Sequence, residues 1–170
     1  MKLILMAMLA MLGSGAAFAD DAPKRLLDQW TGIVFFCASD LGQPWTSDAC
    51  AGITEDVVRL AGEAGMKVAL LDLSGGPQWM EKSEEAGFDG GNALSMFFQF
   101  KASDRPGGNT ALDLNVHAPA DPRPGVNPTQ WLLVFTQTTT INPGEHTEVA
   151  IDAAATVFSG LLEHLGKPAP

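Results

Sequence analysis

Gly32-Ile33-Val34-Phe35-Phe36-Cys37-Ala38 is a continuous apolar run rich in β-branched and aromatic residues. Such a run, without polar alternation, reads as a strand buried on both faces. Gly42 and Pro44 mark a loop after it. Cys50, Ile53, Val57, Leu60, Ala61 and Ala64 then recur at three- and four-residue steps, while Thr54, Glu55, Arg59 and Glu63 fall mostly elsewhere on the wheel. That period predicts an amphipathic helix. Thr46, Ser47 and Asp48 suit its N-cap, and Gly65 suits the C′ position. Met66 to Leu73 reads as a second strand. Strand–helix–strand units are usually parallel with a right-handed crossover, so this stretch sets an α/β fold.

Downstream, Ser74 to Asn92 is rich in Gly, Pro and charge, with one helical turn expected around Pro77 to Glu85. Trp79 and Met80 are apolar residues inside this polar connection. They read either as side chains folded back onto the core or as a partner-binding flap, and the core reading is the more ordinary. Ala93 to Lys101 reads as a third strand, with Met96, Phe98 and Phe100 on one face. Pro106-Gly107-Gly108 is a turn signal. In Thr110 to Ala118, Leu112, Leu114, Val116 and Ala118 alternate with Asp113, Asn115 and His117, which predicts a strand with one wet face. The two strands form a hairpin. Pro119 to Pro128 holds four prolines and must be a loop. Gln130 to Thr140 reads as a fifth strand, buried on both faces at its start. A last helix is expected from His146 to Leu165, on the stripe Ala150, Ala154, Val157, Leu161 and Leu165. Five strands and two amphipathic helices predict a two-layer α/β sandwich, a mixed five-stranded sheet covered by the two helices.

The first residues read as an address. Lys2 is a positive n-region, Leu3 to Leu12 an apolar core, and Ala17-Phe18-Ala19 a small-x-small cleavage site before Asp20. This is the three-part pattern of a secretory signal peptide. Its apolar core is too short to span a bilayer, which takes about 20 residues. The expectation is cleavage after Ala19, a single domain over residues 20–170, a periplasmic or secreted location, and no membrane insertion after cleavage. The chain has 170 residues and a net charge of −10. That balance lacks the cationic footprint nucleic acid requires.

Cys37 and Cys50 are the only cysteines. In an oxidising compartment they read as a structural disulfide tying the first strand to the first helix. C-x-x-C redox spacing is absent, and no flanking residues complete a zinc site.

The order of elements Gly32–Ala38, Ser47–Ala64, Met66–Leu73, Ala93–Lys101, Thr110–Ala118 and Gln130–Thr140, closed by a C-terminal helix, resembles exported bacterial envelope accessory proteins of the curli-secretion and flagellar accessory lipoprotein type. The resemblance covers most of the chain after the leader and is one of element order, with no diagnostic motif. It implies an envelope accessory role. The chain departs from those proteins at its predicted mature start, where Asp20 stands in place of a lipid-modified cysteine.

Chemistry is sparse. No zincin, nucleophile-elbow or phosphate-loop motif is present. His117 with Asp113 offers only two ligands on one strand face, too few for a metal. His146 and His164 suit the ends of the last helix. Ser74-Gly75-Gly76 could cradle an anion but reads more simply as a turn. No cofactor is implied. The leading expectation is a small soluble periplasmic binding or accessory protein without catalysis. It would contact an envelope protein or a small apolar ligand through strand edges or the second sheet face. Trp45, Trp79, Met80 and Phe97 are its contact candidates. The alternatives are a secreted hydrolase using dispersed carboxylates or His117, and a disulfide-stabilised inhibitor presenting the loop Pro119 to Pro128.

Overall fold

The structure, a computed structural model, describes residues 30, 32–40, 42–72, 78–102, 108–142 and 147–166. The expected signal peptide, the segment Asp20 to Gln29, the turn at Ser74-Gly75-Gly76 and His146 lie outside the described residues. Five strands, β1 (Gly32–Ala38), β2 (Lys67–Leu70), β3 (Leu94–Ala102), β4 (Thr110–Pro119) and β5 (Trp131–Ile141), form one sheet. Three helices accompany them: α1 (Trp45–Glu63), α2 (Trp79–Glu85) and α3 (Thr147–His164). The strand order is β2-β1-β3-β4-β5. β1 is parallel to β2 and β3; β4 is antiparallel to β3 and β5. The mixed α/β sheet is the predicted fold.

Ile33 and Phe35 of β1, Leu94, Met96, Phe98 and Phe100 of β3, and Leu112, Leu114 and Val116 of β4 share one face. α1 covers it with Ile53, Val57 and Leu60, and α3 with Ala154, Phe158 and Leu161. This is the main core. Each large aliphatic side chain sealed there contributes about 1.5–3 kcal/mol. A second, smaller core lies on the opposite face. Val34, Ala69, Trp79, Phe88 and Ala93 form it, with Leu71, Met80, Ala86 and Trp131 packed against them.

Local chemistry explains most element ends. α1 stops as predicted: Gly65 has φ 72°, Gly65 N–H donates to Gly62 O and Met66 N–H to Ala61 O. These paired bonds are the Schellman closure, and the left-handed backbone is why glycine sits there. The start differs from the expected Thr46, Ser47 or Asp48 cap. α1 begins at Trp45, with Pro44 at the N-cap and no side-chain cap. The buried Thr46 hydroxyl instead reaches back, accepting from Asp40 N–H at 2.9 Å and donating to Gln43 O at 2.7 Å. Asp40 in turn accepts from Gly42 N–H and, across the sheet, from Ala102 N–H. The connector that sequence reads as one helical turn holds α2 and a further 3-10 turn at Gly90–Asn92. β2 is shorter than Met66 to Leu73, because only Lys67–Leu70 pair with β1.

The predicted Cys37–Cys50 disulfide is present, joining β1 to α1. Replacing both cysteines by alanine should lower stability by about 3 kcal/mol, the chain-entropy expectation for so short a loop. Urea unfolding of the oxidised protein and of the double variant measures the difference; equal midpoints would show that the bridge adds nothing.

Candidate functional site

Among the described residues, the face opposite α1 and α3 is only partly covered. α2 and the 3-10 turn seal the end where the parallel strands begin. Beyond them, Phe36 of β1, Phe97 of β3 and His117 of β4 stand half-buried in a row. Phe36 and Phe97 stack at 4.9 Å between centroids and 10° between planes; Phe97 and His117 stack at 5.6 Å and 8°. Leu133 of β5 lies opposite His117 in the register and extends the row to the sheet edge.

Trp131 anchors the start of β5. Its ring meets Trp79 edge-on at 4.7 Å, and the Trp79 indole N–H donates to Gly90 O at 2.7 Å. Phe135 packs on the main core from the other face. Between these anchors the pairing with β4 slips by one residue. Val116 faces Phe135 and His117 faces Leu133, so Val134 is the extra residue of a β-bulge. Leu132, Leu133 and Val134 are 56%, 55% and 40% exposed. This corrects the expectation of a strand start buried on both faces. β5 is the terminal strand of the sheet, and among the described residues no strand lies beyond it.

The loop before β5 is held at neck and tip. Ala120 N–H donates to Gln130 O across its base. The Asp89 carboxylate accepts from Gly91 N–H and from Gly125 N–H, fastening the tip to the 3-10 turn. Gly91 is obligatory there, since a Cβ would collide with the Arg123 carbonyl oxygen. Val126 N–H donates to Arg123 O, and Gly125 has φ 71°. Pro124-Gly125 thus fill the central positions of a type II turn. Val126 is exposed at this tip.

The four contact candidates do not converge. Trp79 is buried in the second core and Met80 is half-buried beside it, so the core reading describes both. Trp45 lies on the helix-covered face, edge-on to Phe100 at 5.4 Å, its indole N–H donating to Gln43 Oε1. Phe97 alone sits on the partly open face, as the middle ring of the row. The apolar residues that sequence reasoning missed are Leu132, Leu133 and Val134. One signal was available: Thr136, Gln137, Thr138, Thr139 and Thr140 are polar at every position. A strand polar on both sides has little to bury and belongs at an edge.

The hydrolase candidates are engaged elsewhere. The Asp113 carboxylate accepts from Lys101 Nζ and from Thr138 Oγ1, each at 2.6 Å, and these bonds hold its pKa below the usual carboxylate value. His117 is stacked on Phe97, and desolvation lowers its pKa. His164 lies at the end of α3 with its ring 6.5 Å from Phe135. Among the described residues no group of three His, Cys, Asp or Glu could hold a metal ion, and no helix is long and apolar enough to cross a membrane.

No protein-family model and no curated protein matches this chain. Among solved structures, a chain of the PelC dodecamer from Paraburkholderia phytofirmans is similar at 11% identity. The match covers 83% of this chain and 90% of that one, with a TM-score of 0.44.

Two outcomes follow from this packing. Trp79→Ala should cost about 3–5 kcal/mol in a denaturant titration, because it empties the second core and removes the Gly90 bond. A loss within experimental error would mean that Trp79 is dispensable to the fold. His117 protonates less readily when folded than when unfolded, so the unfolded chain binds more protons just below the ordinary histidine value of about 6.5. Its contribution to stability is complete above that pH and is lost as the pH falls through the window below it. His117→Phe should flatten that limb of the stability–pH curve, and an unchanged limb would assign it to other groups.

Proposed function

We propose that this protein is an exported, non-catalytic binding or accessory protein, and that the free side of β5 is its contact surface. The observation that carries this reading is the exposed run Leu132-Leu133-Val134 on a terminal strand. A terminal strand directs alternate N–H and C=O groups away from its single neighbour and can pair with another chain. Scattered exposed apolar residues are ordinary, but here Leu132 on the helix-covered face and Leu133 on the opposite face leave the open edge apolar on both sides. Leu133 joins the edge to the end of the aromatic row through its register partner His117.

Export is supported by the three-part leader and fits the disulfide. A binding role, rather than hydrolysis, is supported by where the polar candidates sit. Asp113 is engaged by Lys101 and Thr138, while His117 is engaged by an aromatic ring. The inhibitor reading shares the surface, because the loop held by Asp89 adjoins the same edge. It is the second reading.

Leu132→Ser with Leu133→Ser should leave the circular dichroism spectrum and the disulfide intact, since neither side chain is buried. The variant should lose at least about tenfold in cross-linking yield to its partner in the native cell envelope, as loss of central apolar contacts predicts. Undiminished cross-linking by a folded variant would move the contact surface away from β5.

A further inference from the structure

The two edges of the sheet are built differently. β2 has four residues, starts with Lys67 and contacts α2. Shortness, a lysine and a covering element are all devices that discourage strand addition. β5 has eleven residues, Trp131-Leu132-Leu133-Val134-Phe135-Thr136-Gln137-Thr138-Thr139-Thr140-Ile141, without a proline or a charge among them. Only the bulge at Val134 interrupts it.

The charge of the rest of the molecule selects what can approach this edge. The chain carries 20 acidic against 10 basic residues. Among the described residues, every lysine and arginine is already engaged. Arg59 pairs with Asp56 and Glu63, Lys82 with Glu85, Lys101 with Asp113, and Arg123 with Asp121. Lys67 donates to the Gly87 carbonyl. The net charge of the chain is therefore negative, −10, and β5 itself is uncharged and apolar at its start. A second copy of the chain brings a charge of the same sign, which opposes its approach. An extended segment of opposite charge is drawn in and fits the strand.

Resting on the reading of β5 as the contact surface, we infer that its occupant is a cationic, extended peptide segment of another protein, added antiparallel or parallel as a sixth strand. Backbone hydrogen bonds along β5 supply affinity that tolerates sequence variation. Apolar side chains of the segment, all on one of its faces, pack beside Leu133 on the partly open face. Lysines or arginines between them meet a chain of net negative charge, so affinity falls as salt rises.

The test is fluorescence anisotropy on the oxidised, exported protein. The probe is a fluorescein-labelled peptide of about ten residues alternating valine and lysine, long enough to span a typical strand. Two controls are the same peptide with glutamate for lysine, and the lysine peptide N-methylated at alternate amides. The expected result is saturable binding of the lysine peptide, weakened by salt. It should weaken at least about tenfold on N-methylation, which removes strand donors and keeps the charge. A similar loss is expected with Leu132→Ser/Leu133→Ser protein, and little binding of the glutamate peptide. Equal binding of the N-methylated peptide would reduce the effect to charge alone and overturn the inference. So would equal binding of the glutamate peptide. Refusal of every peptide, with a concentration-dependent dimer abolished by Leu133→Ser, would make the occupant a second copy; the cationic segment would fall and β5 would stand as the contact surface. Refusal of every peptide without any dimer, together with unchanged envelope cross-linking in the double variant, would remove both.

Discussion

Ile33, Val34 and Phe35 have no measurable exposure, and they are consecutive on one strand. Consecutive strand residues point to opposite faces, so β1 needs cover on both sides. That requirement organises the molecule. Parallel neighbours on either edge of β1 satisfy its backbone, and crossovers long enough for a helix must link them. α1 and α3 meet the requirement on one face across the sheet. On the other face the cover is small: α2, Phe88 and Trp131 reach Val34 and little further. Phe36, two residues along on that same face, is half-buried and finds its cover sideways, in the ring of Phe97. The partly open aromatic row is what remains where the smaller cover ends.

The parts legible in sequence are those whose signal is local. The alternation of Leu112, Leu114 and Val116 with Asp113, Asn115 and His117 marked β4, and its buried face is the apolar set. The helical spacing from Cys50 to Ala64 marked α1, and Gly65 marked its end because only a left-handed residue closes it that way. The disulfide followed from the compartment implied by the leader and from the position of Cys50 on the buried side of α1. Strand order was not legible, because no local pattern says that β1 sits between β2 and β3. The error about β5 is of the same origin. Trp131, Leu132, Leu133, Val134 and Phe135 are apolar in succession, as Gly32 to Ala38 are, and composition alone makes both strands central. Position in the sheet separates them: neighbours flank β1 on two sides and β5 on one.

Trp79 is a residue whose sequence context leaves two readings open. Its apolar character inside a polar connector admitted both a flap and a folded-back core residue. The structure gives it a buried indole, a hydrogen bond to Gly90 and an edge-on contact with Trp131. Its role at β5 is therefore structural. It fixes the first residue of β5, and Asp89 and Gly91, a few residues on, fix the loop that delivers the chain to that strand. The connector with the weakest secondary-structure signal in the sequence thus supports the edge strand β5.

Stability alone does not account for the apolar run in β5. Trp131 and Phe135 attach the strand to the two cores, one on each face, and Ile141 closes its far end in the main core. Leu132, Leu133 and Val134 lie between the first two anchors and reach solvent. Polar residues there would keep the same ladder, as Thr136 and Thr138 do further along, with hydroxyls bonded to Asn115 and Asp113. The bulge at Val134 adds to the contrast, since it twists a strand and aims side chains without burying them. Within one strand, then, the half next to the anchored loop is apolar and exposed, and the other half is polar and bonded to its neighbour. Among the described residues nothing covers the first half, so burial there would add a gain that the described packing leaves unused. In a molecule whose described cations are all engaged, the electrostatically favoured cover is one that brings positive charge of its own.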